Sequence, residues 1–329
     1  MNIYDIAEEA GVSISTVSRV LNNKTNVTPA TREKIQAVLD KYQYTPNAIA
    51  RGLVVKSMKT VAILTVDMRA PYYARTAYTI ERAFSRHGYN VIICNTGGEL
   101  EETRRYMHSL AQRQVDGVVL VGSVFNKLGK DTEVETELKH MPVVIANGEL
   151  MLPNSYSILV DDVLGIGLAV EHLARKGHRD MVYVKDLDTN SAKIKMKGFI
   201  QAMEKLEVRD NKERVLHTGY GLEGGQDAAS RILVLSKRPT AVVCGEDLTA
   251  VGLMKGFIRT GLSVPRDIAV TGYNNSEYSL ICTPELTTVD NKGEMSALFS
   301  VQLLESLISG KNAFSSMSIQ PELVIRQST

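Results

Sequence analysis

Residues 3–23 read IYDIAEEAGVSISTVSRVLNN, and this stretch decides how the amino-terminal part of the chain folds. Ile3, Ile6, Ala7 and Ala10 recur at helical spacing behind Asn2, whose side chain is placed to cap the first turn. Gly11 predicts the stop, because glycine enters left-handed backbone at least cost. Ser13 predicts the cap of a second helix, with Ile14, Val17, Val20 and Leu21 on its apolar stripe. Farther out, Thr28 predicts a third cap, with Pro29 where a missing N–H is harmless. That helix turns Ile35, Val38 and Leu39 inward and fades at Tyr42 and Tyr44. Helix, glycine turn and second helix form the pattern of a DNA-reading unit. Its second helix would bring Ile14, Ser15 and Thr16 to base edges or phosphates. Ser18 and Arg19, one turn on, would meet a phosphate and a guanine edge. From pattern alone, a helical hairpin with solvated polar residues is the alternative.

Beyond Lys59 the texture changes. Apolar runs alternate with helix-length stretches: TVAILTV, 73–87, NVIICN, 100–114, DGVVLVG, 132–140 and PVVIAN, then MVYVKD, 190–206, RVLHTG, 225–236, TAVVCG, 247–261 and DIAVTGY. Short β-branched runs between helices predict parallel strands buried on both faces by crossover helices. There are enough strands for two sheets, and SILVDD at 158–163 is the natural boundary between them. The fold expected is a small all-α head, a connector and two α/β lobes.

Composition narrows the function. Of 329 residues, 44% are hydrophobic and 23% charged, which predicts two or three folded domains and excludes wholesale disorder. No apolar run approaches the ~18 residues that span a bilayer. MNIYDIAEEAG lacks a secretory signal's basic start and apolar stretch. Cys94, Cys244 and Cys282 form no CxxC pair and no even set, so a reducing, cytoplasmic setting is expected. Residues 1–59 carry a net charge of +3 and the remainder −2, so only the head is suited to a polyanion.

Two motifs argue for other chemistry. Gly219, Gly221 and Gly224 form a GxGxxG between a strand-like run and a helix, with Glu246 and Asp247 some way on. This supports the alternative function, a dinucleotide-dependent cytoplasmic enzyme. Against it, the motif opens no amino-terminal unit and no catalytic constellation accompanies it. Asp186, Asp188 and Asn190 begin like a calcium loop, but Ser191 and Lys197 stand where glycine and a bidentate glutamate are needed. The six histidines show neither HExxH nor spacing to cysteines, and no GxSxG or P-loop occurs. No metal, no cofactor and no enzymatic activity are expected.

At IYDIAEEAGVS, TVSRVLN and TREKIQAVLDKYQYTPNAIARGL the head resembles the LacI/GalR family of bacterial transcription regulators, closest to its catabolite-control branch. GHRDMVYV, KGFIQAM, EDLTAVG, VPRDIAVTGYNN and PELTTV extend the resemblance over nearly the whole chain. It implies a helix-turn-helix domain over 1–45 and a hinge helix and linker over 46–59. It further implies a two-lobed, periplasmic-binding-protein-like (type I) effector and dimerisation domain over 60–329. The lobes would comprise about 60–160 plus 292–317, and 161–291 plus 318–329. The implied function is a repressor that binds a near-palindromic operator as a homodimer and answers to a small effector. Ile14 and Ser15 take the positions that set operator choice, and Asn26 joins the DNA-contacting set. Asn47, Ala50, Arg51 and Leu53 match the hinge, with Leu53 as a minor-groove wedge. A helix of about eight residues is too short to be stable alone, so the hinge is expected to fold on DNA.

The resemblance also assigns a cleft. Tyr72, Tyr73 and Tyr220 match aromatic positions near the ligand, Glu246 and Asp247 follow TAVVCG, and Lys195 replaces a sugar-gripping arginine. Asn274 replaces an aspartate, and Asn291 replaces a glutamine. Losing the arginine fork while keeping a positive charge, and losing a negative one, leads to the expectation of an acidic effector, a sugar acid or sugar phosphate rather than a neutral sugar. The catabolite-control branch implies a phosphocarrier protein as partner. That partner is not expected here, because the positions matched to its phosphate-gripping arginines carry no positive charge.

Overall fold

Local capping sets the three helices of the head, α1 (Ile3–Glu9), α2 (Ile14–Leu21) and α3 (Pro29–Lys41). The computed structural model describes residues 2–21, 25–44, 57–139, 141–208, 214–311 and 314–329. The chain divides into two compact units, Met1–Met58 and Lys59–Thr329. In the head, Asn2 Oδ1 accepts the amide of Tyr4 at 2.8 Å, and the Asp5 carboxylate accepts the Asn2 amide at 2.8 Å, a reciprocal capping box. Gly11 turns the chain at φ +60°, and Ser13 Oγ accepts the Thr16 amide at 3.3 Å to start α2. Thr28 caps α3 through the Thr31 amide, with Pro29 in the first turn. Ile6, Ala10, Val17, Val20, Ile35 and Leu39 close a small core. Ser13→Ala is expected to remove about 1 kcal/mol from the head. Faster amide exchange across α2 would register the loss, and unchanged exchange would deny Ser13 a capping role.

The second unit contains two six-stranded sheets. The first runs β11 (Ser316–Ile319), β5 (Ser155–Val160), β4 (Val143–Ala146), β3 (Gly117–Val121), β1 (Thr60–Thr65), β2 (Asn90–Asn95), all parallel. The second runs β12 (Glu322–Val324), β10 (Thr287–Asp290), β9 (Ala269–Tyr273), β8 (Ala241–Cys244), β6 (Met181–Lys185), β7 (Val215–His217). Here β12 is antiparallel to β10, a departure from the expected all-parallel sheet confined to an edge strand.

Helices cover both faces of each sheet. In the first lobe, α4 (Pro71–Arg86) brings Ile80 and Phe84 to one face. On the opposite face, α5 (Leu100–Gln112) and α6 (Thr132–Leu138) bring Met107, Leu110 and Val134. In the second, α7 (Asp162–Arg175) and α8 (Asn190–Lys205) bury Ile166, Leu173, Phe199 and Met203. Across that sheet, α9 (Gly221–Leu233) and α10 (Asp247–Arg259) bury Ile232, Leu253 and Phe257. A short α11 (Tyr278–Ile281) follows β9. After β10, α12 (Gly293–Ile308) returns to the first lobe, where Val301 and Leu304 join Phe84.

The chain therefore crosses between lobes three times, after β5, after β10 and after β11. The last crossing lies beyond Ile319, two residues later than the expected end at 317, because Ile319 is buried in the first lobe's core. Among the described residues, no helix is long and apolar enough to cross a membrane.

Candidate functional site

In open α/β sheets, ligands gather at the carboxyl ends of parallel strands, where side chains leave the sheet and helix amino termini converge. Both lobes deliver polar residues to those ends. Ser123 follows β3, Asn147 β4, Asp162 β5, Asp186 β6, Glu246 β8, Asn274 β9 and Asn291 β10. Between the lobes lies a cavity of about 40 Å³ whose walls include Tyr72, Tyr73, Asp186, Lys195, Glu246 and Asn274. The two lobes meet around it. One bond holding them is the Ser191 amide of α8 donating to Ser123 Oγ at 3.0 Å.

Lys195 organises the interior. Its Nζ donates to Gly245 O at 3.0 Å and to Glu246 Oε1 at 3.1 Å, and lies 3.9 Å from the centre of the Tyr273 ring. The other Glu246 oxygen accepts Asn274 Nδ2, and Asn291 Nδ2 donates to Asn274 Oδ1 at 2.8 Å. Asn274 holds φ at +101°, strain stored where the chain turns into the site. Asp162 accepts Tyr273 Oη at 2.5 Å and also the Ser191 hydroxyl, while Asp186 accepts the Thr249 hydroxyl. On the first lobe, the rings of Tyr72 and Tyr73 meet edge to face, 5.1 Å apart.

Five of the eight residues predicted for the cleft line this cavity: Tyr72, Tyr73, Lys195, Glu246 and Asn274. The other three do not. Tyr220 precedes α9 and is 40% exposed. Asp247 is buried behind the wall, where it accepts the Ser276 amide at 2.6 Å and Thr288 Oγ1 at 2.5 Å. Asn291 braces Asn274 from behind. Sequence reasoning missed Asp186, Asp162, Ser123, Ser191 and Asn147. Their signal was available, since each lies just past a strand end or, for Ser191, in the first turn of a helix facing the cleft.

Electrostatics bears on a second expectation. Burial pushes the Glu246 carboxyl up to about 7 and raises that of Asp186, with Lys195 opposing both shifts. Asp247 is raised to about 6, again by burial, against the hydrogen bonds from Thr288 and Ser276. For Lys195 burial works downward, but Glu246, Asp162 and Asp186 outweigh it and its affinity for the proton rises. Carboxylates outnumber the lysine, and Glu246 already holds it. The expectation of an acidic effector counted the replacement at 274; the structure adds the carboxyl groups at 162, 186 and 246 to that balance.

In the head, α2 presents Ile14 and Ser15 in its first turn and Arg19 in its last outward, while Thr16 and Ser18 are half-buried and Val17 and Val20 face the core. Asn26 is exposed. Asn47, Ala50, Arg51 and Leu53 lie outside the described residues.

Comparison with known proteins agrees with this arrangement from end to end. A profile of bacterial regulatory proteins, lacI family, matches residues 2–47, and one of the periplasmic binding protein-like domain matches residues 170–329. An HTH-type transcriptional regulator of Lachnoclostridium phytofermentans is 32% identical over 100% of this chain and 99% of its own length. The chain belongs to the lacI family. The HTH-type transcriptional repressor PurR of Mannheimia succiniciproducens is 31% identical, covering 99% of this chain and 98% of its own. The structure of the lac repressor dimer bound to operator and the anti-inducer ONPF superposes with a TM-score of 0.88 at 25% identity, over 100% of this chain and 98% of that one.

Within this lacI-family chain the glycine motif serves packing. A Cβ on Gly224 would stand 1.7 Å from Gly219 O, one on Gly225 2.1 Å from Thr249 O, and one on Gly252 2.4 Å from Leu222 O. Gly225 and Gly252 let the backbones of α9 and α10 touch, Gly224 lets the turn before α9 fold back on Gly219, and Gly221 turns at φ +86°. The relatives matched are regulators.

Proposed function

We propose that this lacI-family regulator represses transcription as a homodimer on a near-palindromic operator in the cytoplasm, and that a small polyhydroxylated effector in the interlobe cleft controls it. One observation carries the DNA reading: α2 is capped at Ser13 and turns Ile14, Ser15 and Arg19 outward over a core of Val17 and Val20. A helix so anchored enters the major groove amino end first, and a two-fold operator needs two of them about one turn of DNA apart. Thr16, Ser18 and Asn26 complete the contact surface. Asn47, Ala50 and Arg51 follow the minor groove beside the Leu53 wedge, an assignment that rests on sequence resemblance.

The effector reading rests on the cleft's mix of donors, acceptors and two tyrosine walls, which suits hydroxyl-rich ligands. It also rests on the Ser123–Ser191 bond, which such a ligand would have to replace. Selection from random duplex DNA with the full chain tests the first claim. It is expected to return a palindrome whose affinity falls steeply with salt. Arg19→Ala is expected to weaken the selected site by about 1–3 kcal/mol and random DNA far less. Exchange of Ile14 and Ser15 should change the selected sequence. Equal weakening on both DNAs would reduce Arg19 to a phosphate contact, and an unchanged selected sequence would remove α2 from the groove.

A further inference from the structure

Asp186 stands out in the charge balance of the cleft. Its side chain takes the Thr249 hydroxyl on one oxygen, and among the described residues no salt bridge reaches it, whereas Glu246 is matched by Lys195. Beside it, Tyr183 is fully buried and its hydroxyl has no hydrogen-bond partner among the described residues. The two groups meet at Gly245, where an added Cβ would lie 2.9 Å from Tyr183 Oη and 3.4 Å from Asp186 Oδ1. Glycine thus lets both polar atoms crowd its backbone at the edge of the cavity, which Asp186 and Gly245 line. Lys195 cannot serve both atoms, because its ammonium is already committed to Gly245 O, Glu246 and the Tyr273 ring.

A buried carboxylate without a cation is costly, and a phenol beside it with no partner adds a second unmet hydrogen bond. Both deficits are met by one group, a protonated amine. It donates to Asp186 Oδ1 and Tyr183 Oη together and carries the missing positive charge. A neutral hydroxyl meets the hydrogen bonds but not the charge, and a carboxylate or phosphate worsens the balance. Tyr72 and Tyr73, on the facing lobe, offer aromatic surface that favours a cation.

We infer that the effector bears a protonated amine beside its hydroxyl groups, an amino sugar or amino polyol whose ammonium lodges against Asp186 and Tyr183. The inference rests on the reading of the cleft as an effector site and narrows it. The same balance explains why burial raises the Asp186 carboxyl: without a ligand cation, the site favours a proton.

Titration calorimetry on the full chain tests it with pentoses, hexoses and disaccharides, each supplied in neutral, amino, N-acetylated and carboxylate forms. At least one amino form is expected to bind. Its neutral parent and N-acetylated form, which keep the ring and lose the charge, should bind roughly thirtyfold or more weakly. Asp186→Asn is expected to erase that preference by weakening the amino form far more than the neutral parent. The wild-type panel decides the matter alone should that variant fold poorly. Tightest binding of a neutral, N-acetylated or carboxylate form, or no binding of any amino form, overturns the amine. A neutral ligand weakened by Tyr72→Ala would do so while leaving the cleft as the effector site. A ligand indifferent to both Tyr72→Ala and Asp186→Asn would remove the site as well.

Discussion

Gly225→Ala is expected to destabilise the second lobe by about 3 kcal/mol, at the upper end of what overpacking usually costs. The added methyl meets Thr249 O at 2.1 Å and Leu253 N at 2.5 Å, both backbone atoms, so no side chain can move aside and α9 must separate from α10. Urea denaturation of the full chain, followed by circular dichroism, measures the loss. The first glycine of the GxGxxG motif supplies the contrast. A Cβ on Gly219 finds nothing nearer than Gly224 Cα at 4.0 Å, so Gly219→Ala should be close to neutral. A phosphate-binding turn would need its first glycine for the tight turn, and the helix contact does not. Equal sensitivity at 219 and 225 would contradict the packing account.

Lys195→Met is the second large effect. The methionine fills much of the same space over the Tyr273 ring but leaves Glu246 without its cation, with Asp186 and Asp162 close by. Breaking a buried pair from one side costs about 3–5 kcal/mol, and that full loss is expected near pH 8. Toward pH 5 the loss should shrink. The Glu246 carboxyl sits at about 7 in the folded chain against an ordinary 4.5. A carboxyl raised in this way favours the folded state most below 4.5, and that contribution drains as pH rises through 7. The groups facing Glu246 are Lys195, Asp186, Asp247, Asn274 and the phenols of Tyr183, Tyr220 and Tyr273 within its lobe, and Tyr72 and Tyr73 from the other. Only Lys195 among them opposes the proton by charge, so its removal steepens the slope. Thermal midpoints of both proteins between pH 5 and pH 8 check this, and parallel profiles would show that Lys195 and Glu246 are not a working pair.

How much of this was legible beforehand depended on how local the physics was. Asn2, Gly11, Ser13, Thr28 and Pro29 act within one helical turn, and each does what its residue type predicts. The β-branched runs were equally plain, since both faces of β1, β3, β4 and β8 are buried. The alternation left 162–175 and 293–308 unassigned. Their helices, α7 and α12, bury a broad arc including Ile166, Val170, Val301 and Leu304, so the polar–apolar contrast is weak. The glycines before 225 read as turn, yet α9 already starts at Gly221, whose φ of +86° makes the turn and whose neighbour is the Leu248 side chain.

The cleft was legible one residue at a time and misjudged as a whole. Lys195 and Glu246 could be named, but their pairing spans some fifty positions and exists only once β8 and α8 are side by side. Asp186 was tested for calcium-loop spacing, when its position at the end of β6 was the informative fact.

The triple crossing between lobes also sets a timetable for the nascent chain. When residue 290 has been joined, the first lobe still lacks α12 and β11, and the second lacks β12 and the buried Ser328 and Thr329. Neither is finished early, so no half-made protein carries one complete lobe. Both are completed within the final 39 residues, about 2–8 s of translation at 5–20 residues per second. The head, continuous in sequence, has by then long since left the ribosome. A messenger truncated between the head and that last stretch therefore yields a polypeptide able to fold its DNA-reading end and unable to finish the part that would control it.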